Sequence, residues 1–384
     1  MPTLEQEGFV PEKTSARRTC GTMGMHNRLL KTEPVYVNNR RLIERFTLDH
    51  AMRAARRAAR VPTLTIPVVV HVVYKTAAEN ISKAQIRSQI DVLNQDYRKR
   101  NADIGRVPTA FRSLAADAGI EFRLAVRDPN GSPTDGITRT RSAKTVFNSE
   151  TDDIKRRSTG GHSPWPRDRY LNIWVGRRVA DPFVGDLLGY AQFPGGPAAT
   201  DGVVVAVTAF GSTGLARAPF NKGRTATHEV GHWLNLLHIW GDDGGGCTGS
   251  DSVRDTPNQA GPNSGRPVFP HVTCGNGPNG DLFMNYMDYT HDAAMFMFTA
   301  SQVRRMRAAL GGPRASILGS DALRPAPRVA PIALKLPPKG ADLRKALGRE
   351  VGGEVTKVFD GARWVPLSRA WATLGGPRGR RRRG

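Results

Sequence analysis

The sequence predicts an α+β fold: a twisted mixed sheet with helices packed on it, above an irregular lower half. Three observations predict it. Short apolar runs of strand character recur between residues 66 and 207, and two segments carry helical periodicity with capping signals. Between residues 239 and 298 the chain then loses its periodicity among Gly, Asp and Pro.

Taken in order, Ile66 to Tyr74 is apolar almost throughout and reads as a buried first strand. It is far shorter than the roughly 20 residues that span a bilayer, and no longer apolar run exists, so a membrane span is excluded. Ser82 to Lys99 predicts a helix, with Ser82 and Gln85 in a capping-box pattern and Ile86, Ile90, Leu93 and Tyr97 on one stripe. Ile120, Phe122, Leu124 and Val126 alternate as a strand, as do Leu171, Ile173 and Val175. Gly202 to Val207 is a further apolar strand, and a helix follows from about Arg224. Thr299 to Gln302 opens the last helix, with Val303, Met306 and Leu310 facing inward.

The helix from Arg224 carries the chemistry. It contains His228-Glu229-Val230-Gly231-His232, with a third histidine at His238. Residues four apart share a helix face, so His228 and His232 can direct imidazoles at one zinc ion, and Glu229 can reach water beside it without being a ligand. His238 cannot join from the same helix, because ten residues rise about 15 Å. The helix must stop near Asn235, a residue that tolerates the left-handed conformation, and the chain must double back.

Composition bounds the remaining readings. The net charge is +22, but residues 61–320 hold 29 Lys and Arg against 23 Asp and Glu, so +16 of that charge lies in the flanks. A basic tail such as Gly379 to Arg383 solvates a chain end or binds polyanions weakly, and no zinc-finger or RNA-binding spacing accompanies it. Specific nucleic-acid binding is therefore not expected. Met1 to Val10 lacks the charged-then-apolar pattern of a signal peptide. Residues 1–60 are polar and end in the arginine-rich stretch Met52 to Arg60, which reads as a processing site. Residues 61–320 form the catalytic domain, and residues 321–384 a basic Pro- and Arg-rich tail in which Trp364 and Trp371 suggest some docking.

At Asn285-Tyr286-Met287-Asp288-Tyr289 the chain places a methionine 49 residues beyond His238 and a tyrosine two positions later. With the long histidine motif, this resembles the Met-turn of the metzincin metallopeptidases, and the wording of both motifs resembles their pappalysin branch. The resemblance covers residues 61–312. It implies a zincin with an active-site cleft between the two halves, Met287 as an apolar floor beneath the ligands, and Tyr289 beside the metal. The implied reaction is hydrolysis of internal peptide bonds of protein or peptide substrates. There Glu229 serves as the base, and zinc with the Tyr289 phenol holds the oxyanion. An intact Glu229 argues against a catalytically idle binding module. Asp292 suits a specificity pocket for basic side chains, whereas Met295, Phe296 and Met297 suit an apolar one.

Three cysteines leave one over from any pair. Cys247 and Cys274 both sit in the loop-rich segment, where a bridge contributes about 3.5 kcal/mol on the chain-entropy estimate. The resemblance implies this pair as well, and with it an extracellular setting. Cys20 lies just after two arginines in the N-terminal leader, and latent metzincins resembling this chain use such a thiolate to occupy the open zinc position. The resemblance also implies calcium. The glycine-flanked carboxylates from Asp242 to Asp255 supply hard oxygen ligands, with Asp251 and Thr256 as the candidates.

Overall fold

The computed structural model describes residues 17–55 and 62–325, together with two short strands at 357–359 and 364–366. Two N-terminal helices come first, α1 (Thr22–Thr32) and α2 (Pro34–Ala55), followed by β1 (Leu64–Tyr74) and α3 (Lys83–Tyr97). A short α4 (Thr109–Arg112), β2 (Ile120–Leu124), β3 (Ile137–Arg141) and β4 (Phe147–Asn148) come next. The chain continues through β5 (Leu171–Gly176), β6 (Val179–Asp181), β7 (Gly185–Leu187), β8 (Gly189–Ala191) and β9 (Val203–Ala206). Two helices, α5 (Arg224–Trp233) and α6 (Ala300–Gly311), flank the irregular lower half.

The main sheet runs β2-β1-β5-β9-β8, and β3 continues along the β2 edge of β1. All pairs are parallel except β8 against β9. It is the mixed sheet with packed helices that the apolar runs predict. Ser82 caps α3 by accepting from the Gln85 amide, and Thr299 and Gln302 form a reciprocal capping box on α6.

Both faces of the sheet are covered. On one, Leu171, Ile173, Val175, Val203 and Val205 join α3, α5 and α6 in the main core. On the other, Trp174, Val204 and Tyr190 pack with Met25, Leu29 and Tyr36 of the N-terminal helices. The alternation at Leu171–Val175 therefore marks two buried faces, not one buried and one wet. Burying both sides suits a largely parallel sheet.

Three expectations shift. Strand β2 ends at Leu124, so Val126 lies beyond it, because there its amide bonds Ala322. The same bond ties residues past 320 to the sheet: Asp321 pairs with Arg127 and Arg169 at 2.8 Å each, and Ala322 is buried. The N-terminal segment, expected as a polar leader that ends in an arginine-rich processing site, forms two helices packed on the sheet. Of the expected processing site, Arg53 is exposed in the last turn of α2, while Arg56, Arg57 and Arg60 lie outside the described residues. In the C-terminal unit, β10 (Lys357–Phe359) and β11 (Trp364–Pro366) pair antiparallel; Trp371 and the arginines at 380–383 lie outside the described residues.

Candidate active site

Helix α5 is fixed on all sides before it presents any ligand. Arg224 at its start forks onto Asp103 at 2.6 Å, Tyr97 donates to the Thr227 carbonyl at 3.0 Å, and Trp233 donates to Asp201 at 2.8 Å. The helix ends at Trp233, and Asn235 adopts φ 78°. The Leu236 amide then bonds back to the Gly231 carbonyl at 2.9 Å, and Arg305 holds the Asn235 carbonyl at 2.6 Å. The chain thus reverses at the residue where the third histidine required it to.

That reversal brings His228, His232 and His238 together, all fully enclosed. The Nε2 atom of His232 lies 3.1 Å from those of both His228 and His238. Each Nδ1 is committed elsewhere: His228 to the Tyr286 carbonyl at 2.7 Å, His232 to the Leu236 carbonyl at 2.8 Å, and His238 to Asp242 at 2.7 Å. Those acceptors require Nδ1–H, so Nε2 is the ring atom that each histidine points inward. Burial, then the neighbouring imidazoles, hold His228 and His232 well below the usual histidine range, so these two rings stay neutral. Three converging lone pairs in a buried site repel unless a cation lies between them, and this donor set fits zinc.

Cys20 completes the group: its Sγ and the three histidine nitrogens lie within 4.8 Å of one another. Among the described residues no other cluster of three or more His, Cys, Asp or Glu has that closeness. The thiol donates to Glu229 at 3.4 Å, and Thr22 donates to the same carboxylate oxygen at 2.9 Å. Burial pushes Glu229 up to about 7, against the pull of those bonds and of Arg18. The segment around Cys20 pairs in parallel with Gly189 of β8, where the Gly21 amide donates to the Gly189 carbonyl at 3.0 Å. A Cβ on Gly189 would stand 2.9 Å from the Glu229 side chain, so glycine there gives the carboxylate its room.

Tyr289 stands edge-on to His238, with ring centroids 4.9 Å apart, and its phenol is kept protonated by burial and by the nearby Cys20 and Glu229. Trp240 stacks flat on His238 at 4.3 Å and meets Tyr289 edge-on at 4.8 Å. Met287 is buried beneath α5. Its turn is held by Asp288, which accepts from Asn263, Gln259 and the Tyr289 amide, and by Tyr286, which donates to Asp96.

Arg18 enters a pocket beside the histidines. It pairs with Asp292 at 2.6 Å, donates to Thr225 at 2.9 Å, touches the Met295 sulfur at 3.6 Å, and lies over the Phe220 ring. Groups from both readings left open for specificity meet Arg18 here, the Asp292 carboxylate and the Met295 sulfur. Cys247 and Cys274 form a disulfide. Asp251 accepts from the Thr256 hydroxyl at 2.8 Å and from the Val253 amide at 3.0 Å. No third carboxylate or imidazole joins them in a metal cluster among the described residues.

Arg18, Trp240 and Gly189 were missed by sequence reasoning, and Asp242, expected in the calcium-binding stretch, bonds His238 instead. Asp242 and Trp240 lie four and two residues after a ligand histidine, whereas Arg18 and Gly189 become visible only when distant segments meet.

Comparison with known proteins agrees with this geometry. A family profile described as pregnancy-associated plasma protein-A, a peptidase family, matches residues 133–311. An extracellular metalloprotease of Pyricularia oryzae is 33% identical over 257 residues, covering 65% of this chain and 76% of that protein. Extracellular metalloprotease 1 of Coccidioides posadasii is 30% identical, covering 76% of this chain and 88% of its own length. The chain belongs to the pappalysin family of metallopeptidases. Among solved structures, this pappalysin is similar to mirolysin in complex with a small compound, at 52% identity and a TM-score of 0.66, covering 69% of this chain and all of that one. It is also similar to a promirolysin mutant of Tannerella forsythia, at 49% identity and a TM-score of 0.71, covering 78% and 97%.

Proposed function

We propose that this metalloprotease is a zinc-dependent endopeptidase made as a latent precursor, with residues 1–60 as its leader, residues from 61 to about 325 as its catalytic domain and the remainder as a basic tail. The convergence of three imidazole Nε2 atoms and the Cys20 thiol in one buried group carries the reading. Relatives named extracellular metalloproteases, and the disulfide, support a secreted protein. The promirolysin likeness, which extends over more of this chain than the mirolysin one, supports the latent form.

Zinc held by His228, His232 and His238 supplies a Lewis acid for the scissile carbonyl and lowers the pKa of bound water toward about 7. Glu229, itself near that value, takes the proton of the attacking water and returns it to the leaving amine. The Tyr289 phenol, kept protonated, donates to the developing oxyanion. Met287 and Trp240 hold the ligands in place, one as apolar floor and the other by stacking on His238. In the uncut chain Cys20 would join the three histidines in holding the zinc, and Arg18 lies against Asp292 as a basic side chain of a substrate would. Asp251, with the Thr256 hydroxyl beside it, would supply oxygen ligands for calcium.

The test is metal content set beside turnover. His238→Ala releases zinc and abolishes hydrolysis, while Glu229→Ala keeps zinc and loses turnover by orders of magnitude. Full zinc retention in the His238 variant rejects the three-ligand site, and normal hydrolysis by the Glu229 variant rejects the mechanism.

A further inference from the structure

Asn235 needs only a tolerant backbone to turn the chain, and glycine would serve that purpose. Its side chain is used for something else. The Asn235 Oδ1 accepts from Arg40 of α2 at 2.7 Å, and its Nδ2 donates to Glu44 at 3.3 Å. Arg40 also donates to the Pro194 carbonyl at 3.2 Å and to Glu44 at 2.7 Å, and its guanidinium lies 5.1 Å over the Phe193 ring. Phe193 in turn meets the His232 ring edge-on at 5.4 Å. Arg305 of α6 closes the network, donating one nitrogen to the Asn235 carbonyl and another to Glu44 at 2.7 Å.

Helix α2 is built for this contact. Tyr36, Arg40, Ile43 and Thr47 form a buried stripe at helical spacing, and the Ile43 side chain rests where glycine at 195 leaves room. Arg40 and Glu44 stand four apart, so one turn presents a paired cation and anion to an amide and a guanidinium. The Arg40 bond to Asn235 is buried while Glu44 is half-buried, and bonds to charged groups are the stronger kind. None of these atoms belongs to the Cys20 group, and the surface lies at the turn that delivers His238.

We propose that Asn235, Phe193 and Arg305 form a docking surface for the Arg40–Glu44 pair, a second hold on the N-terminal segment that works without Cys20 and outlasts cutting of the chain. The inference rests on the reading of residues 1–60 as a leader. When the segment departs, Arg305 keeps the Asn235 carbonyl, so the turn retains a support of its own.

The experiment measures initial hydrolysis of a short peptide by uncut full-length chains carrying Cys20→Ala, with and without Arg40→Met. Residue 40 is absent from the processed enzyme, so both chains yield the same mature protein, whose full activity certifies folding. Cys20→Ala alone stays below the processed enzyme, and adding Arg40→Met raises the initial rate roughly ten-fold, the scale of a lost bond to a charged group. The cut segment also leaves the catalytic part faster on gel filtration. In an Asn235→Gly background the Arg40 effect shrinks, since the shared partner is gone. Should Arg40→Met fail to give a folded chain, Glu44→Gln makes the same test with a smaller step. Equal rates and equal retention with and without the Arg40 change overturn the proposal, as does an Arg40 effect that Asn235→Gly leaves at full size. If the uncut wild-type chain is as active as the processed one, the leader reading itself falls.

Discussion

The Met287 sulfur lies 2.5 Å from the point where a Cβ on Gly231 would stand. The glycine inside the histidine motif and the methionine of the later turn are thus shaped to each other. Helix α5 approaches its floor this closely because one side chain is missing. Gly231→Ala is expected to cost about 1–3 kcal/mol, since Met287 is fully buried and has nowhere easy to retreat. Chemical denaturation checks this, together with metal content, which falls as the histidines are displaced. Adding Met287→Ala relieves the clash, so the double variant costs less than the sum of the singles.

How much of this was readable in advance follows from where each signal lies. The helix at Arg224, its reversal at Asn235 and the later methionine are written locally, in spacing and in tolerance for positive φ. Helix α2 was missed because its buried stripe is half polar: Arg40 is hydrogen-bonded inward to Asn235 and the Thr47 hydroxyl returns to the Ile43 carbonyl, which periodicity of apolar residues does not register. Arg18 meets Asp292 across 274 positions, a contact no local pattern encodes.

Latency through Cys20 predicts a gain of function. The full-length Cys20→Ala chain hydrolyses substrate, or processes itself, without added protease, although below the level of the mature enzyme. In the wild-type full-length chain the thiol resists alkylation. Equal activity in both chains, with Cys20 freely alkylated in the wild type, would leave it an ordinary thiol.

The Arg18–Asp292 pair predicts cleavage preference. A peptide library is expected to show enrichment of arginine or lysine at the position that enters this pocket. Asp292→Ala removes the enrichment and lets the Met295 and Phe220 walls favour apolar residues instead. Its backbone supports at Lys222 and Arg224 are lost as well, so the profile, not the overall rate, is the measurement. An unchanged profile rejects the assignment.

Asp251 predicts a dependence on pH. Burial pushes its carboxyl up to about 7, against the Thr256 and Val253 bonds, so the folded chain holds this proton more tightly than the unfolded one. Its contribution to stability is present below an unfolded value of about 4 and is lost as the pH rises through about 7. Asp251→Asn therefore raises Tm more at pH 8 than at pH 5. If calcium binds there, millimolar calcium raises the wild-type Tm at pH 8 and leaves the Asn variant unmoved. No calcium effect on the wild type ends the calcium reading.

The second core has a consequence for lifetime. Met25, Leu29 and Tyr36 share an apolar cluster with Trp174, Tyr190 and Val204, so the N-terminal helices close that face of the sheet. On the proposed reading, an interior assembled by one chain is later used by a shorter one. The mature enzyme then persists by the height of its unfolding barrier instead of by the depth of its folded well. Once denatured, it has lost the template on which that face was built, and activation becomes a step the molecule takes in one direction.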